Sequence, residues 1–496
     1  MKLQFLNLIL LSFTFVFVKC YQMENNSFIP GLETISQKDL QKTVDYLSSP
    51  ELEGRLSGSP GYFKAADFAK ERFISLGLKP AFGDDYFQKF NVEYNNIISA
   101  SLKLMRMDGS SKEYILGKDF VCRGFTGSSE LKAEVVFCGY GISAPELGYD
   151  DYKGINVKGK IVIVFKQNPK WNINGKKWEG GYPRYKAKIA YEHGAKGILF
   201  VSRPNDKKPQ EIIGSVFSGT GKQIKNFPQL HISLNAVDDL FNGTGITIGK
   251  LQTKIDSLQK PQSMRLVHSV QIKVEAEYVK EKETVNIAAI LPGRNTDLKD
   301  EYLVIGAHLD HVGKQGEIYF PGANDNASGS AALLEIAEAF VKGYVNNGRS
   351  IIFVLFSSEE AGLFGSKHFV NTFPHELSSI TAMINIDCVG YGDSIQVHNG
   401  KGASKLWTRV KALDKKFTNM MINTTWGGGG ADATPFHERG IPSIYFVTTN
   451  SYDHLHSTTD TPDTLNGELF EKITRLAYLT AYDISIGKYK REIIVR

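Results

Sequence analysis

Tyr302-Leu303-Val304-Ile305-Gly306-Ala307-His308-Leu309-Asp310 is an almost unbroken apolar run that ends on an imidazole and, two positions later, a carboxylate. Three further runs end in the same way. Ile351 to Phe356 leads to Glu359 and Glu360, Ile380 to Ile386 leads to Asp387, and Ile441 to Val447 leads to a polar loop holding His454 and His456. Runs of this length without polar alternation fit strands buried on both faces of a parallel sheet. In such sheets the loops at the carboxyl ends of the strands border one crevice, so side chains far apart in sequence converge there. Apolar Ala331, Leu334, Ala337 and Val341 give the stretch from Ser328 to Val341 a helical period between the first two runs.

The residue types say what chemistry such a crevice supports. His308, Asp325, Glu360, Asp387 and His456 offer two imidazoles and three carboxylates, with Glu359 spare beside one of them. That nitrogen and oxygen set suits a pair of hydrolytic zinc ions, with cobalt or manganese as substitutes. Five ligands are too many for one tetrahedral zinc, and three carboxylates against two divalent cations leave about +1 to hold a bridging hydroxide. Asp325 lies in the loop Pro321 to Asn326; read alone it is a helix N-cap, but a carboxylate reaches two cations at once and a central Asp is a natural bridge. Asp310 has the spacing to accept the second ring N–H of His308, and His311 is read as a bystander. Neighbouring side chains of extended chain point to opposite sides, so one of Glu359 and Glu360 is free to ligate while the other faces water. Spacing alone does not separate His454 from His456.

Upstream, Ser36 caps a helical pattern carrying Leu40, Val44 and Leu47, and a Gly/Ser/Pro region at Gly54 to Gly61 precedes a second helix with Phe63, Ala66, Phe68, Ala69 and Phe73. The texture then changes to short strands with frequent glycines, among them Val135 to Phe137 and Ile161 to Phe165, and a helix Tyr185 to His193 feeds the strand Gly197 to Val201. Residues 101–275 are therefore read as a β-rich α/β module inserted between an N-terminal part, 21–100, and a catalytic domain, 276–496. The whole is an α/β fold, a mixed sheet flanked by helices. Every candidate ligand lies outside the insert, which on this reading makes it dispensable for metal binding.

Residues 1–20 combine Lys2 with an apolar stretch from Leu3 to Val18, the length and charge of a signal peptide, so export is expected: secreted, periplasmic or cell-surface. Cys20 is where a bacterial lipoprotein would carry its lipid, the sole membrane link read here; Lys19 before it fits that poorly, and cleavage after Cys20 is the competing expectation. Four cysteines in 496 residues are too sparse for a disulfide scaffold, and Cys122 and Cys138 are read as buried thiols rather than a pair. A net charge of +5 without a basic block argues against a nucleic-acid partner.

Ala307-His308-Leu309-Asp310, Gly322-Ala323-Asn324-Asp325-Asn326-Ala327-Ser328-Gly329, Ser358-Glu359-Glu360-Ala361-Gly362-Leu363, Asn385-Ile386-Asp387 and His456-Ser457-Thr458-Thr459-Asp460-Thr461 together resemble the M28 family of co-catalytic zinc peptidases, which includes bacterial leucyl aminopeptidases and the glutamate carboxypeptidase branch. The resemblance takes in Glu53-Gly54-Arg55 and Thr284 to Gly293 as well. It implies a zinc-exopeptidase fold with two zinc ions, His308 and Asp387 on one, Glu360 and His456 on the other, Asp325 bridging and Glu359 as general base; it also favours His456 over His454. Gly139-Tyr140-Gly141-Ile142, Asp151-Tyr152, Val157-Lys158-Gly159-Lys160-Ile161-Val162 and Gly194-Ala195-Lys196-Gly197 resemble a protease-associated (PA) domain, non-catalytic in relatives. The implied activity is an aminopeptidase acting on peptides, with a carboxypeptidase or dipeptidase of the same fold, or a non-catalytic receptor-like member, as alternatives. Asn324 stands where many relatives have Asp, Ala433 follows Asp432 where an Asp-His pair is common, and Leu455 precedes His456 where the carboxypeptidase branch has Tyr. Tyr391, Tyr445 and Tyr452 remain as candidates for oxyanion stabilisation.

Overall fold

The computed structural model describes residues 29–494 apart from 174, 177, 179–181 and 216–220. Residues 1–20, read from sequence as a signal peptide and including Cys20, lie outside the described residues. Within them, one sheet of 16 strands is the backbone of the molecule. Its main path runs Ile395–His398, Ser443–Thr448, Ile380–Ile386, Tyr302–His308, Ser350–Phe356, Met264–Leu291, and then on through Ser129–Phe137, Ile161–Phe165, Gly197–Val201, Gln229–Ile232 and Phe120–Cys122.

Ser443–Thr448, Ile380–Ile386, Tyr302–His308 and Ser350–Phe356 pair in parallel, and every residue in them is buried. Continuous apolar strands demand cover on both faces. One face packs under helices Gln37–Leu47, Pro60–Ser75, Gly329–Lys342, Ser404–Phe417 and Gly467–Ser485, the other under Phe364–Thr372 and Ala433–Glu438. The flanking strands Met264–Leu291 and Ile395–His398 are antiparallel, which makes the sheet mixed. The first helices begin where side chains satisfy their free amides: Ser36 Oγ accepts from Asp39 N–H at 3.2 Å, and Ser59 Oγ accepts from Tyr62 N–H at 3.1 Å. The buried face of the second helix is Tyr62, Ala65, Ala66, Ala69 and Phe73, while Phe63 and Phe68 are only partly covered.

The sheet continues without a break into residues 101–275. Phe87–Met105 and Met264–Leu291 form a two-stranded ribbon, paired from Phe87↔Ile287 to Met105↔Ser269 with irregularities at Glu275/Ala276 and Val279/Lys282. The limits 100/101 and 275/276 fall inside these two strands. Beyond the ribbon a separate core forms around Phe137, Ile163, Leu199, Leu230, Val237 and Ile272. Cys122, Cys138 and Cys388 are free and buried. Among the described residues, no helix is long and apolar enough to cross a membrane.

Candidate metal centre

The four parallel strands deliver their carboxyl ends to one edge, and the polar residues read from sequence gather there. His308 ends its strand and Asp387 follows Ile386, while Glu359 and Glu360 sit in the turn after Phe356 and His456 lies in the loop after Thr448. Two groups of donor atoms form, each with its atoms within 4.8 Å of one another: His308, Asp325 and Asp387, and His311, Asp325, Glu360 and His456. His308 Nε2 is 3.3 Å from Asp325 Oδ1 and 3.3 Å from Asp387 Oδ1. His456 Nε2 is 3.1 Å from Asp325 Oδ2 and 2.9 Å from Glu360 Oε2. Asp325 thus turns one oxygen to each group.

These residues fit zinc. Ligand atoms about 2.0–2.2 Å from a tetrahedral zinc stand roughly 3.3 Å from each other, close to the separations above, and Asp387 Oδ1 is buried with no hydrogen-bond donor. Burial alone would raise the Asp325 carboxyl, but His308 and His456 hold it well below the usual carboxylate range.

Asp325 is set by its own loop. The residue is not helical (φ −113°, ψ 93°), and the Asp460 carboxylate accepts the N–H of Asn324 at 2.8 Å and of Asp325 at 3.1 Å. The amide of Asn324 accepts from Gly390 and Tyr391 N–H through Oδ1 (2.8 and 2.9 Å) and donates to Ser451 O through Nδ2 at 3.0 Å. A carboxylate has no hydrogen to give Ser451, so the departure from Asp suits the local bonding. The capping role that spacing assigns to Asp325 belongs instead to Asn326, whose Oδ1 accepts from Gly329 N–H at 2.8 Å.

Glu359 and Glu360 separate as expected in outcome but not in cause. The chain there is not extended: Ser358 has φ 59°, and the N–H groups of Gly362 and Leu363 both donate to Glu359 O, at 2.8 and 2.9 Å. The turn sends the Glu360 carboxylate into the second donor group, while Glu359 belongs to neither. Burial pushes the Glu359 carboxyl well above its ordinary range, with His308 opposing and Asp432 adding to the rise.

Two sequence readings need correction. The Asp310 carboxylate is 3.8 Å from His308 Nδ1; the ring instead donates to the Asp310 carbonyl at 3.1 Å. The carboxylate turns away because it accepts the N–H of Glu359 at 3.1 Å and of Glu360 at 3.4 Å, so Asp310 ties the His308 loop to the glutamate turn. His311 is no bystander: fully buried, it places Nδ1 2.9 Å from Glu360 Oε1 and 3.8 Å from Asp325 Oδ2. Its N–H donates to the Arg55 carbonyl at 3.1 Å, which anchors the turn that brings the ring back over the strand end. A carboxylate only accepts, so Nδ1–H is the donor, and Glu360 Oε2 is left facing His456.

His454 stays outside both groups, bonded through Nδ1 to Thr459 Oγ1 at 2.9 Å. Of the three tyrosines, Tyr391 directs its hydroxyl to Asp453 Oδ2 at 3.4 Å, whereas the hydroxyls of Tyr445 and Tyr452 meet at 3.3 Å and both feel the Asp387 carboxylate. Asp432, fully buried with its carboxyl pushed up to about 7 by burial, lies close enough to influence Glu359.

Arg55 carries no signal in sequence beyond the Glu53-Gly54-Arg55 match, yet it braces the site from behind. It is 0% exposed and donates to the carbonyls of Leu309 (2.8 Å), Pro321 (2.8 Å), Gly322 (2.9 Å) and Leu47. Burial lowers its pKa to about 10 against the pull of Asp460, Asp325, Asp310 and Glu360. Arg55→Met leaves these carbonyls and carboxylates without their cation, and a loss of about 3 kcal/mol or more is expected in denaturant unfolding; a variant within roughly 0.5 kcal/mol of the parent contradicts the bracing role.

Residues 286–481 match Peptidase family M28, a span that holds every candidate ligand. The chain is 22% identical over 422 residues to Aminopeptidase YwaD of Bacillus subtilis, covering 80% of this chain and 79% of that protein. It is 29% identical over 223 residues to a probable leucine aminopeptidase of Arthroderma otae, covering 43% of this chain but 61% of the relative. The chain therefore spans about three fifths of that fungal relative. In fold it is similar to BSAP, a zinc aminopeptidase from Bacillus subtilis, with a TM-score of 0.64 at 21% identity over 93% of this chain and 98% of that one. The Peptidase M28 precursor of Shewanella amazonensis superposes with a TM-score of 0.65 at 19% identity, over 93% and 100%.

Proposed function

We propose that the protein is an exported zinc-dependent aminopeptidase holding two ions, one by His308, Asp325 and Asp387, the other by Asp325, Glu360 and His456. The observation that carries this reading is Asp325, one oxygen toward each donor group. The match of residues 286–481 to a peptidase family and the aminopeptidase names of the relatives support it. When bound, the ions supply Lewis acidity, lowering the pKa of water and polarising a carbonyl.

The chain's own residues do the rest. Glu359, half-buried and uncommitted to either group, takes a proton from the attacking water and returns it to the leaving amine. Asp310 fixes Glu359 and Glu360 through their amides, and Asp460 and Asn324 fix the loop of Asp325. Tyr445 and Tyr452 are assigned to the developing oxyanion, and the insert is assigned a PA-like role in substrate access.

A panel of aminoacyl p-nitroanilides, Leu first, and their N-acetyl counterparts tests the reading. Free-amine substrates should be cleaved, acetylated ones should not, and a chelator should abolish turnover that added zinc restores. Release of residues from the carboxyl end of N-blocked peptides would establish the carboxypeptidase alternative; no hydrolysis by the zinc-loaded protein would establish the receptor-like one.

A further inference from the structure

The insert supplies no donor atom, but one of its loops rests on the loop that does. Gly214 N–H donates to the His456 carbonyl at 2.8 Å. His456 has φ 52°, a left-handed conformation that a residue with a side chain keeps only where its surroundings impose it. Lys208 Nζ stands 2.5 Å from Asp453 Oδ1, on the same loop as His456. Between these polar contacts, Ile212 packs into a small apolar cluster with Leu56, Val121, Val312 and Phe320, of which Val312 and Phe320 belong to the segment joining His308 to Asp325. A Cβ on Gly214 would come within 2.8 Å of Val312 Cγ2 and 3.0 Å of Phe320 Cε1, so the approach needs glycine. The far end of the loop is held in turn, Ser215 Oγ accepting from Gly124 N–H at 3.1 Å. A backbone hydrogen bond, an apolar cluster and an ion pair thus join residues 208–215 to the two loops that flank the second donor group.

We infer that residues 208–215 of the insert are the positioning element for His456, holding its backbone in the left-handed turn that aims Nε2 at Asp325 and Glu360. The inference rests on the two-ion reading above. Lys208, Ile212 and Gly214 touch neither substrate nor ion; they act through His456. The site of Asp325, Glu360 and His456 therefore depends on the insert, while the His308 and Asp387 side does not, and the insert is not dispensable for metal binding.

The test is zinc uptake by the full-length, chelator-stripped protein, titrated against a competing chromophoric chelator to resolve two affinities, with thermal unfolding of each apo variant alongside. Wild type should take up two ions. Gly214→Pro, which removes the N–H, should bind one ion, the insert-dependent one, about tenfold less tightly and leave the other unchanged. Gly214→Ala combined with Val312→Ala keeps the N–H and removes the tightest contact, leaving the Phe320 ring at 3.0 Å to shift slightly, and should return within about twofold of wild type. Lys208→Glu sets a carboxylate against Asp453 on an exposed pair that folding does not need, and should weaken the same ion by about fivefold. If Lys208→Glu binds both ions as wild type does, or a folded Gly214→Pro does so, the inference is overturned; if both affinities fall together, the insert acts on the whole fold and the inference is overturned too. A wild type that takes up one ion overturns the two-ion reading instead.

Discussion

Glu359→Gln should keep both zinc ions and lose turnover by about 10²- to 10⁴-fold, the usual cost of removing a general base. Glutamine preserves the shape of the side chain but cannot accept a proton at the pH of the assay, and Glu359 stands outside both donor groups. Glu360→Gln is the contrasting case. It removes a negative charge next to His456 Nε2, 2.9 Å away, so one ion should be lost selectively and excess zinc should restore part of the activity. Zinc stoichiometry and turnover measured on both variants decide the matter: metal loss in Glu359→Gln beside metal retention in Glu360→Gln would reverse the two roles.

Asp325→Ala should strip both ions. Its two oxygens face different imidazoles, 3.3 Å from His308 Nε2 and 3.1 Å from His456 Nε2, so deletion takes a ligand from each side. Each affinity should fall by more than the 10- to 100-fold typical of losing a mere outer partner of a ligand, with activity falling to background. The loop should survive, because Asp460 holds it through the backbone amides of residues 324 and 325. Retention of one tightly held ion by Asp325→Ala, measured after exhaustive dialysis, would mean that the carboxylate serves a single site.

The strands behind this centre are readable because burial on both faces explains an apolar run as uniform as Ile351 to Phe356, and polar residues directly after such runs have few other reasons to be there. What stayed hidden depends on turns. The swing at Ser358 that parts Glu359 from Glu360, and the one after Asp310 that returns His311 to the cluster, arise from left-handed or anchored backbone that residue type does not announce. The Asp310 carboxylate was assigned to the nearest imidazole in sequence, whereas two amides reached only through the fold compete for it and win. Arg55 was matched but not explained, since its partners lie near residues 47, 309 and 322. The ribbon is not legible in sequence because Met264–Leu291 alternates exposed and buried residues over most of its length and then runs buried, so its outer part resembles several short strands.

That ribbon also limits how the molecule can open. The chain enters and leaves residues 106–263 along strands that stay paired from Phe87↔Ile287 to Met105↔Ser269, so the ribbon gives this part of the chain no slack tether about which to swing like a flap. Bending it away from the centre would mean tearing a ladder of hydrogen bonds in the middle of a continuous sheet. Traffic to and from the crevice must instead be governed by loops that yield locally, and the two halves should melt as one unit.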